Sequence, residues 1–483
     1  MFHYIIMLVI IVFFNIVCGF AQDAALRSSS IYNNMNNQLK VDFDDTQFDS
    51  IAEFRNTKFV SQAYFRNAQF DSIARFNNAR FSSEAYFKHA QFNSYAVFSE
   101  AQFISQAFFN EAKFSSIAGF WDTQFDLEAS FLNAQFDSQA NFYFAKFNSK
   151  ADFEFAKFNS IAHFENTQFD SIVDFRNTKF DSIANFRHAQ FNSEVYFWKV
   201  QFNAEADFSD SKFDSIAYFN RARFNSKVDF SYCKLPSIIV FSEVIAKDII
   251  NLSFCTLDSS IEFCYIDLRR ASIDKLLLRY DKFRIYKPDT ITTNDFEEYT
   301  SIYEGLLKNF KDHGYWESYK TLDKEYQSFK LTQNPNHNLY DKAAGYMYSF
   351  VNKAWNDYGY DKGRIWNFTI TFLSFFFLLN WIFFPYLVVK VYPIPTIKHV
   401  FNQNKKLRAY RIKHGTYPKF NIFAPFLSFS FTLLVFFGLK LSVDNLNFKH
   451  QKAVTYLLFQ YIVGLICLAY LANFVISVSP IGI

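Results

Sequence analysis

Phenylalanine recurs every eleven residues from Phe43 to Phe230, eighteen times without a gap. A second series, also spaced by eleven, runs seventeen times from Phe48 to Phe224. The two interleave, so the interval between successive rings alternates between five and six. A coiled coil with an eleven-residue period needs apolar gaps of three and four, and gaps of five and six do not stay on one stripe of a helix. A continuous strand is excluded as well, because each Phe is flanked by turn formers such as Asn, Asp and Ser. The chain holds 68 Phe against only 11 Gly and 9 Pro. That bias calls for a repeat architecture, a membrane segment, or both.

A small residue stands two positions before each Phe. It is Ala52, Ala63 and Ala74 in the first series and Thr46, Thr57 and Ala68 in the second, with Val173, Val195, Val228, Val200 and Ser211 as variants. In extended backbone, residues two apart face the same side, so each pair turns one small and one large residue inward. The segments Ala-Glu-Phe-Arg-Asn at 52–56 and Ala-Tyr-Phe-Arg-Asn at 63–67 resemble the pentapeptide-repeat family. That resemblance covers about 190 residues and implies an all-β, right-handed, four-sided β-helix with one unit per side. The extra residue in every second unit then gives a coil of about 22 residues. At ~4.8 Å per coil, ten coils would extend on the order of 50 Å.

The remaining positions agree with this reading. Ser fills 16 of the 18 positions spaced by eleven from 50 to 237, where it is expected to bond to local backbone at a corner. Gln, Lys or Arg fills every position from 47 to 223 spaced by eleven, suited to covering the outside. The ladder continues irregularly as Leu235, Phe241, Ala246, Leu252, Leu257, Phe263 and Leu268, so the β-helix is assigned to residues 41–268. Cys233 and Cys255 occupy inward small positions in adjacent coils. Their spacing admits a disulfide and equally two buried thiols.

The coil length also sorts outward residues. Tyr64, Tyr86 and Phe108 fall in one column, which resumes at Tyr196 and Tyr218 after Ser130, Asp152 and Asp174. On a second column Trp121 is expected to stack with Tyr143, beside Phe144. Such aromatics either bind a protein or glycan partner or simply stabilise the solenoid by stacking. Residues 41–230 carry 25 acidic against 18 basic side chains, too weak a bias to imitate DNA, and the chain's net charge of +3 gives no general support for nucleic-acid binding. His89, His163 and His188 lie at scattered outward positions with no acid or nucleophile at a set spacing, and no phosphate-binding glycine loop is present. None of the five Cys stands in a CxxC pair or near a His at zinc spacing. The expectation is a non-enzymatic protein without metal or cofactor, self-association being compatible with it.

The two ends point to a membrane. Residues 1–22 read as a secretory signal with an apolar run from Ile5 to Val17, an uncleaved anchor being the alternative. Residues 270–358 show helical spacing. Asn294 and Glu297 suggest a capping box, Gly314 a helix end, and further helices run from Trp316 to Leu331 and from Leu339 to Trp355. The first two loosely resemble one tetratricopeptide unit, expected to cap the β-helix or lie near the membrane. Residues 366–478 hold three apolar segments, Trp366–Val389, Ile422–Leu439 and Val454–Val478. Between the first two lie Lys398, Lys405, Lys406, Arg408, Arg411, Lys413 and Lys419 with no acid. The positive-inside rule places that loop in the cytoplasm. Three spans then put the β-helix outside, the C-terminus inside, and the protein in the cytoplasmic (inner) membrane of a bacterium. The last region is also similar to a two-span ion-channel domain, although no Thr-x-Gly-Tyr-Gly filter is present. The function expected is a membrane-anchored β-helix that presents a binding surface. A channel or transport component is the alternative.

Overall fold

A computed structural model describes residues 41–361, 363–413, 423–439 and 446–478. The expected signal at 1–22 and Lys419 lie outside the described residues. The chain divides into two compact units, Met1–Tyr326 and Gln327–Ile483.

The first unit is a parallel β-helix with four sheets. Face 1 starts at Val41–Asp42, face 2 at Gln47–Phe48, face 3 at Ala52–Glu53 and face 4 at Lys58–Phe59. Among the described residues they contain 12, 10, 11 and 10 strands. Each strand pairs in parallel with the one a full coil later, as Ala63 with Ala85 and Phe59 with Phe81. The 22-residue coil is therefore made of two similar half-coils of eleven.

The two kinds of interval correspond to two kinds of corner. In the five-residue interval the corner is a tight turn, closed where Thr57 N–H donates to the Phe54 carbonyl. Its third residue is left-handed, as at Asn56 (φ 57°) and Asn67 (φ 55°), and the same holds every eleven residues to Phe254 (φ 60°). Asn and Asp suit that conformation, but the column also contains Phe144 and Phe155. The six-residue interval makes the opposite corners and absorbs the extra residue. The serines there were expected to bond to backbone. At the tight corners, side chain–backbone bonds run through the Asp and Asn that end the strands of faces 1 and 3. Asn141 Oδ1 accepts from Tyr143 N–H at 3.0 Å and Asp174 Oδ1 from Arg176 N–H at 2.9 Å. A carboxylate or amide on the strand's last residue reaches the amide two positions on, whereas Ser83 donates to the neighbouring Glu84 side chain.

Phe rings fill the core. Phe136 is fully buried and stacks on Phe114 at 4.8 Å and Phe158 at 4.7 Å, with the ring planes nearly parallel. Rings from adjacent faces meet edge-on, as Phe136 and Phe142 at 6.0 Å, and so do rings from opposite faces, as Phe131 and Phe142 at 5.5 Å. The small partner positions also work when polar. Thr123, Thr167 and Thr178 each donate from Oγ1 to the Phe carbonyl 25 residues earlier, at 2.7–2.8 Å. Cys233 and Cys255 do the same with Sγ, toward Phe208 at 2.9 Å and Phe230 at 3.2 Å. Both are free, buried thiols, so the second of the two readings of this pair holds.

The sheets continue past residue 268, to Leu276–Leu277 on face 3 and Phe283–Ile285 on face 1. One irregularity precedes them. Ile239 pairs with Ile266 rather than with Ile261, twenty-two positions on. Cys264 is consequently buried, while Phe263, assigned above to the ladder, is only half-buried and has Arg284 over its ring at 3.6 Å.

Two helices then close the last coil. Helix α1 (Thr293–Asp312) begins on a capping box formed by Thr292 and Asp295, not by the predicted Asn294 and Glu297. The Thr292 hydroxyl is placed one residue before the first turn, which leaves Asn294 inside it. Gly314 (φ 71°) follows the helix end, as expected. Asn309 of α1 donates to the carbonyls of Ile273 and Asp274. Helix α2 (Trp316–Thr332) brings Glu325 to accept from Tyr303 Oη at 2.6 Å, Tyr280 Oη at 2.8 Å and Lys287 Nζ at 2.9 Å. Burial works to raise the pKa of Glu325, but Lys287 and the two phenols outweigh it and hold the group below its ordinary value.

The second unit is helical: α3 (Leu339–Asn356), α4 (Gly363–Tyr386) with a π-helical extension Leu387–Val391, α5 (Pro395–Lys413), α6 (Phe423–Phe436) and α7 (Gln451–Val478). Among the described residues two stretches, Gly363–Val391 and Phe448–Ala472, are long and apolar enough to cross a membrane. The second of the three apolar segments expected from the sequence does not reach that length. Helix α6 has 14 residues, about 21 Å at 1.5 Å per residue, against about 30 Å of hydrocarbon.

Candidate binding surface

Side chains on the outer positions of each face stack in register, so any surface on this solenoid is a set of columns. On face 1 the register runs Tyr64, Tyr86, Phe108, Ser130, Asp152, Asp174, Tyr196, Tyr218. Tyr64 stacks on Tyr86 at 5.0 Å, Tyr86 on Phe108 at 5.2 Å, and Tyr196 on Tyr218 at 4.9 Å. The predicted column is thus two ring stacks with a polar gap between them. Its phenols are held locally, since Tyr64 donates to Gln62 at 2.6 Å and Tyr196 to Glu194.

Within the gap, one oxygen each from Asp152, Glu154 and Asp174 lies within 4.8 Å of the others. Lys150 bonds Asp152 at 3.2 Å, and Arg176 bonds Asp174 at 2.6 Å and Glu154 at 3.3 Å. Burial raises the pKa of Glu154, reinforced by the two aspartates and opposed by Arg176. Two cations, Lys150 and Arg176, offset part of the charge of these three carboxylates, and the cluster is an ion-pair network.

Face 3 carries a different arrangement. Tyr143 does not stack on Trp121. Its ring lies over His163, 5.0 Å away, and only tilts against Phe144 at 6.4 Å. The cause is Glu165, a buried carboxylate (8 % exposed) one coil beyond Tyr143. Glu165 Oε1 accepts from Tyr143 Oη at 2.8 Å and from Asn185 Nδ2, and His163 Nδ1 lies 3.2 Å from both carboxylate oxygens. Burial, then Glu165, pushes the Tyr143 phenol well above its ordinary pKa. His163 was expected to have no acid partner, and this is corrected. Coil arithmetic exposes the relation, because 165 is 143 plus 22 and two beyond 163. His89 likewise lies 3.4 Å from Glu111, one coil on.

The cluster presents a phenol edge, an imidazole and an amide around one buried carboxylate. Phe144 borders it from a left-handed corner (φ 57°). A ring and convergent hydrogen-bonding groups of this kind suit a polar ligand with an apolar face. Near the break in the repeat, Lys212, Lys234, Asp214, Asp258, Ser260 and Ile261 line a separate hollow of about 350 Å³. Its charges are paired, with Lys234 on Asp258 at 2.6 Å.

Parallel coils, an inward Phe on every face and a fixed inward small residue define a β-solenoid of repeat type. Residues 43–91 and 164–212 match the family described as pentapeptide repeats, in nine copies. The solenoid is a pentapeptide-repeat β-helix. No curated protein and no solved structure matches the chain.

Proposed function

We propose that this chain is a non-enzymatic, membrane-anchored β-helix whose exposed columns bind a protein or glycan outside the cytoplasm. The observation that carries the reading is the pairing of a finished, capped solenoid with two apolar helices that flank a basic helix. Helix α5 and the residues after it carry seven Lys and Arg and no acid between 398 and 419. Under the positive-inside rule α5 lies in the cytoplasm, so the single crossing of α4 leaves the β-helix on the other side. In a bacterium that membrane is the cytoplasmic one. The Tyr143–His163–Glu165 cluster and the Tyr64–Tyr86–Phe108 stack are the best candidates for the contact surface.

Alkaline extraction of membranes from cells making the full chain tests the anchor, which should stay in the pellet. Release into the supernatant would overturn it. Capture of a partner or glycan by the detergent-solubilised chain tests the surface. Binding unaffected by both Tyr143→Ala and Tyr86→Ala would remove these columns from the site.

A second reading, an ion-conducting or transport unit, is favoured by one observation. The short helix α6, with buried Ser428 and Thr432, packs against both long helices. A selective current in reconstituted bilayers, abolished by Gly438→Leu, would put this reading first. Gly438 has φ 68°, and a Cβ there would run into Tyr461.

A further inference from the structure

The geometry points to α6 as a re-entrant half-helix, entering and leaving the membrane on the side where α4 ends. The inference rests on the membrane reading of residues 363–478 and concerns how the chain threads that region.

The order of contacts along α4 traces the path. Near the end of α4 and its π-helical extension, Leu427 clusters with Val388, Ile394 and Ile397, and Phe431 meets Phe384 at 6.1 Å. Higher up, Thr432 reaches Asn380 at 2.9 Å, and Phe436 meets Phe376 at 5.9 Å. Phe376 is near the centre of the Gly363–Val391 stretch, so α6 rises antiparallel to α4 and stops about halfway. After α6 the chain is back where it started. Asn447 N–H donates to the Val391 carbonyl at 2.9 Å, and Asn447 Nδ2 to the Lys390 carbonyl at 3.0 Å. Helix α7 then climbs alongside α4, meeting Asn380 through Tyr456 and Gln460.

Polar side chains fasten the half-helix where it ends. Asn380 Nδ2 donates to Thr432 Oγ1 and, at 3.0 Å, to Gln460 Oε1, while Asn380 Oδ1 accepts from Tyr456 Oη at 2.9 Å. Gln460 Nε2 donates to the Thr432 carbonyl at 3.2 Å. Asn380, Thr432 and Gln460 are fully buried. In hydrocarbon such groups are stable only when they satisfy one another, and here one amide links all three helices. The backbone at the tip is also close-packed. A Cβ on Gly464 would overlap the Phe436 carbonyl, so α7 admits α6 only because that residue is Gly.

Three reporters, each adding one cysteine to the full chain, test the path: Lys405→Cys before α6, Lys449→Cys after it and Val60→Cys on the solenoid, all at exposed positions. They are labelled with a membrane-impermeant maleimide on sealed right-side-out and inverted vesicles, with the parent chain as background. The inference expects 405 and 449 to react from one side and 60 from the other. Reaction of 405 and 449 from opposite sides would overturn re-entry while leaving the membrane reading intact. Reaction of all three from the same sides, with release at alkaline pH, would instead sink the membrane reading. The fastening is tested by hydrogen exchange in detergent. Asn380→Leu should speed exchange in α6 at least tenfold, whereas Phe383→Leu, at an exposed position on the same helix, should not. Unchanged exchange in Asn380→Leu would refute the role of the polar contacts.

Discussion

Replacing Phe136 by Ala removes a ring that is wholly buried and held from both sides. It stacks on Phe114 and Phe158 at 4.8 and 4.7 Å and meets Phe142 edge-on at 6.0 Å. Large-to-small changes of this type cost about 3–5 kcal/mol, and the two lost stacking partners place Phe136→Ala in the upper half of that range. A cost of about 4 kcal/mol raises the local opening constant roughly a thousandfold. Phe48 provides the comparison. It is half-buried and stacks on one side only, with Phe70 at 4.7 Å, so Phe48→Ala should cost about half as much. Each coil touches only its neighbours, and the damage should therefore be local. Hydrogen exchange followed by mass spectrometry on the full chain measures this. Peptides around 114, 136 and 158 should lose protection in Phe136→Ala, and those near 54 and 230 should keep it. Equal losses for Phe48→Ala and Phe136→Ala, or a uniform loss along the solenoid, would refute the nearest-neighbour account.

Phe155→Asn should stabilise the chain by about 1 kcal/mol, because Phe155 is 47 % exposed at φ 59° and Asn occupies the same corner one coil away at 133 and 177; thermal scans should show a higher midpoint, and a lower one would contradict it. The buried thiols should make stability fall at high pH. Burial pushes Cys255 up from 9 to about 12, and Cys233 and Cys264 up as well. The stabilisation is therefore complete below about pH 9 and is lost as pH rises from there toward 12, by up to about 1.4 kcal/mol per pH unit per thiol. Denaturant titrations of Cys255→Ala should show a shallower alkaline decline, and an unchanged slope would dismiss the effect. Lys287→Met leaves the part-buried Glu325 carboxylate with its two phenol donors but without its cation, a loss of about 1–3 kcal/mol. Proteolysis at α1 and α2 should accelerate in that variant while cleavage within the solenoid does not.

The solenoid was legible because its period is written in one residue type. Once the rings alternate at five and six, coil length, inward faces and the stacking of Cys233 on Cys255 follow by counting. What remained hidden were choices made by side chains within that frame. Spacing puts Glu165 one coil beyond Tyr143, but it does not say that a hydrogen bond between them would turn Tyr143 from Trp121 to His163. The backbone amides of the tight corners are reached by Asp and Asn that end the strands, such as Asn141 and Asp174, which the sequence showed only as turn formers. The break at Ile266 was invisible because Phe263 continues the expected pattern although Cys264 takes the inward place. Between 366 and 478, apolarity alone marked three segments, and only helix length separates α6 from the two long ones.

The half-coil of eleven is the unit of the sequence, but the full coil of twenty-two is the unit of stacking. Adding or removing twenty-two residues leaves every column continuous and changes only the number of layers. Adding or removing eleven keeps every Phe inward yet carries all later residues half a turn around the axis. Face 1 positions would then continue face 3, and the Tyr196–Tyr218 stack would lie in line with Asn141 and His163. The core would not register such a change, because Phe meets Phe on either half. A solenoid of this kind can therefore reshuffle its whole surface at little cost to its fold, and the relative phase of its columns becomes a heritable trait separate from its stability.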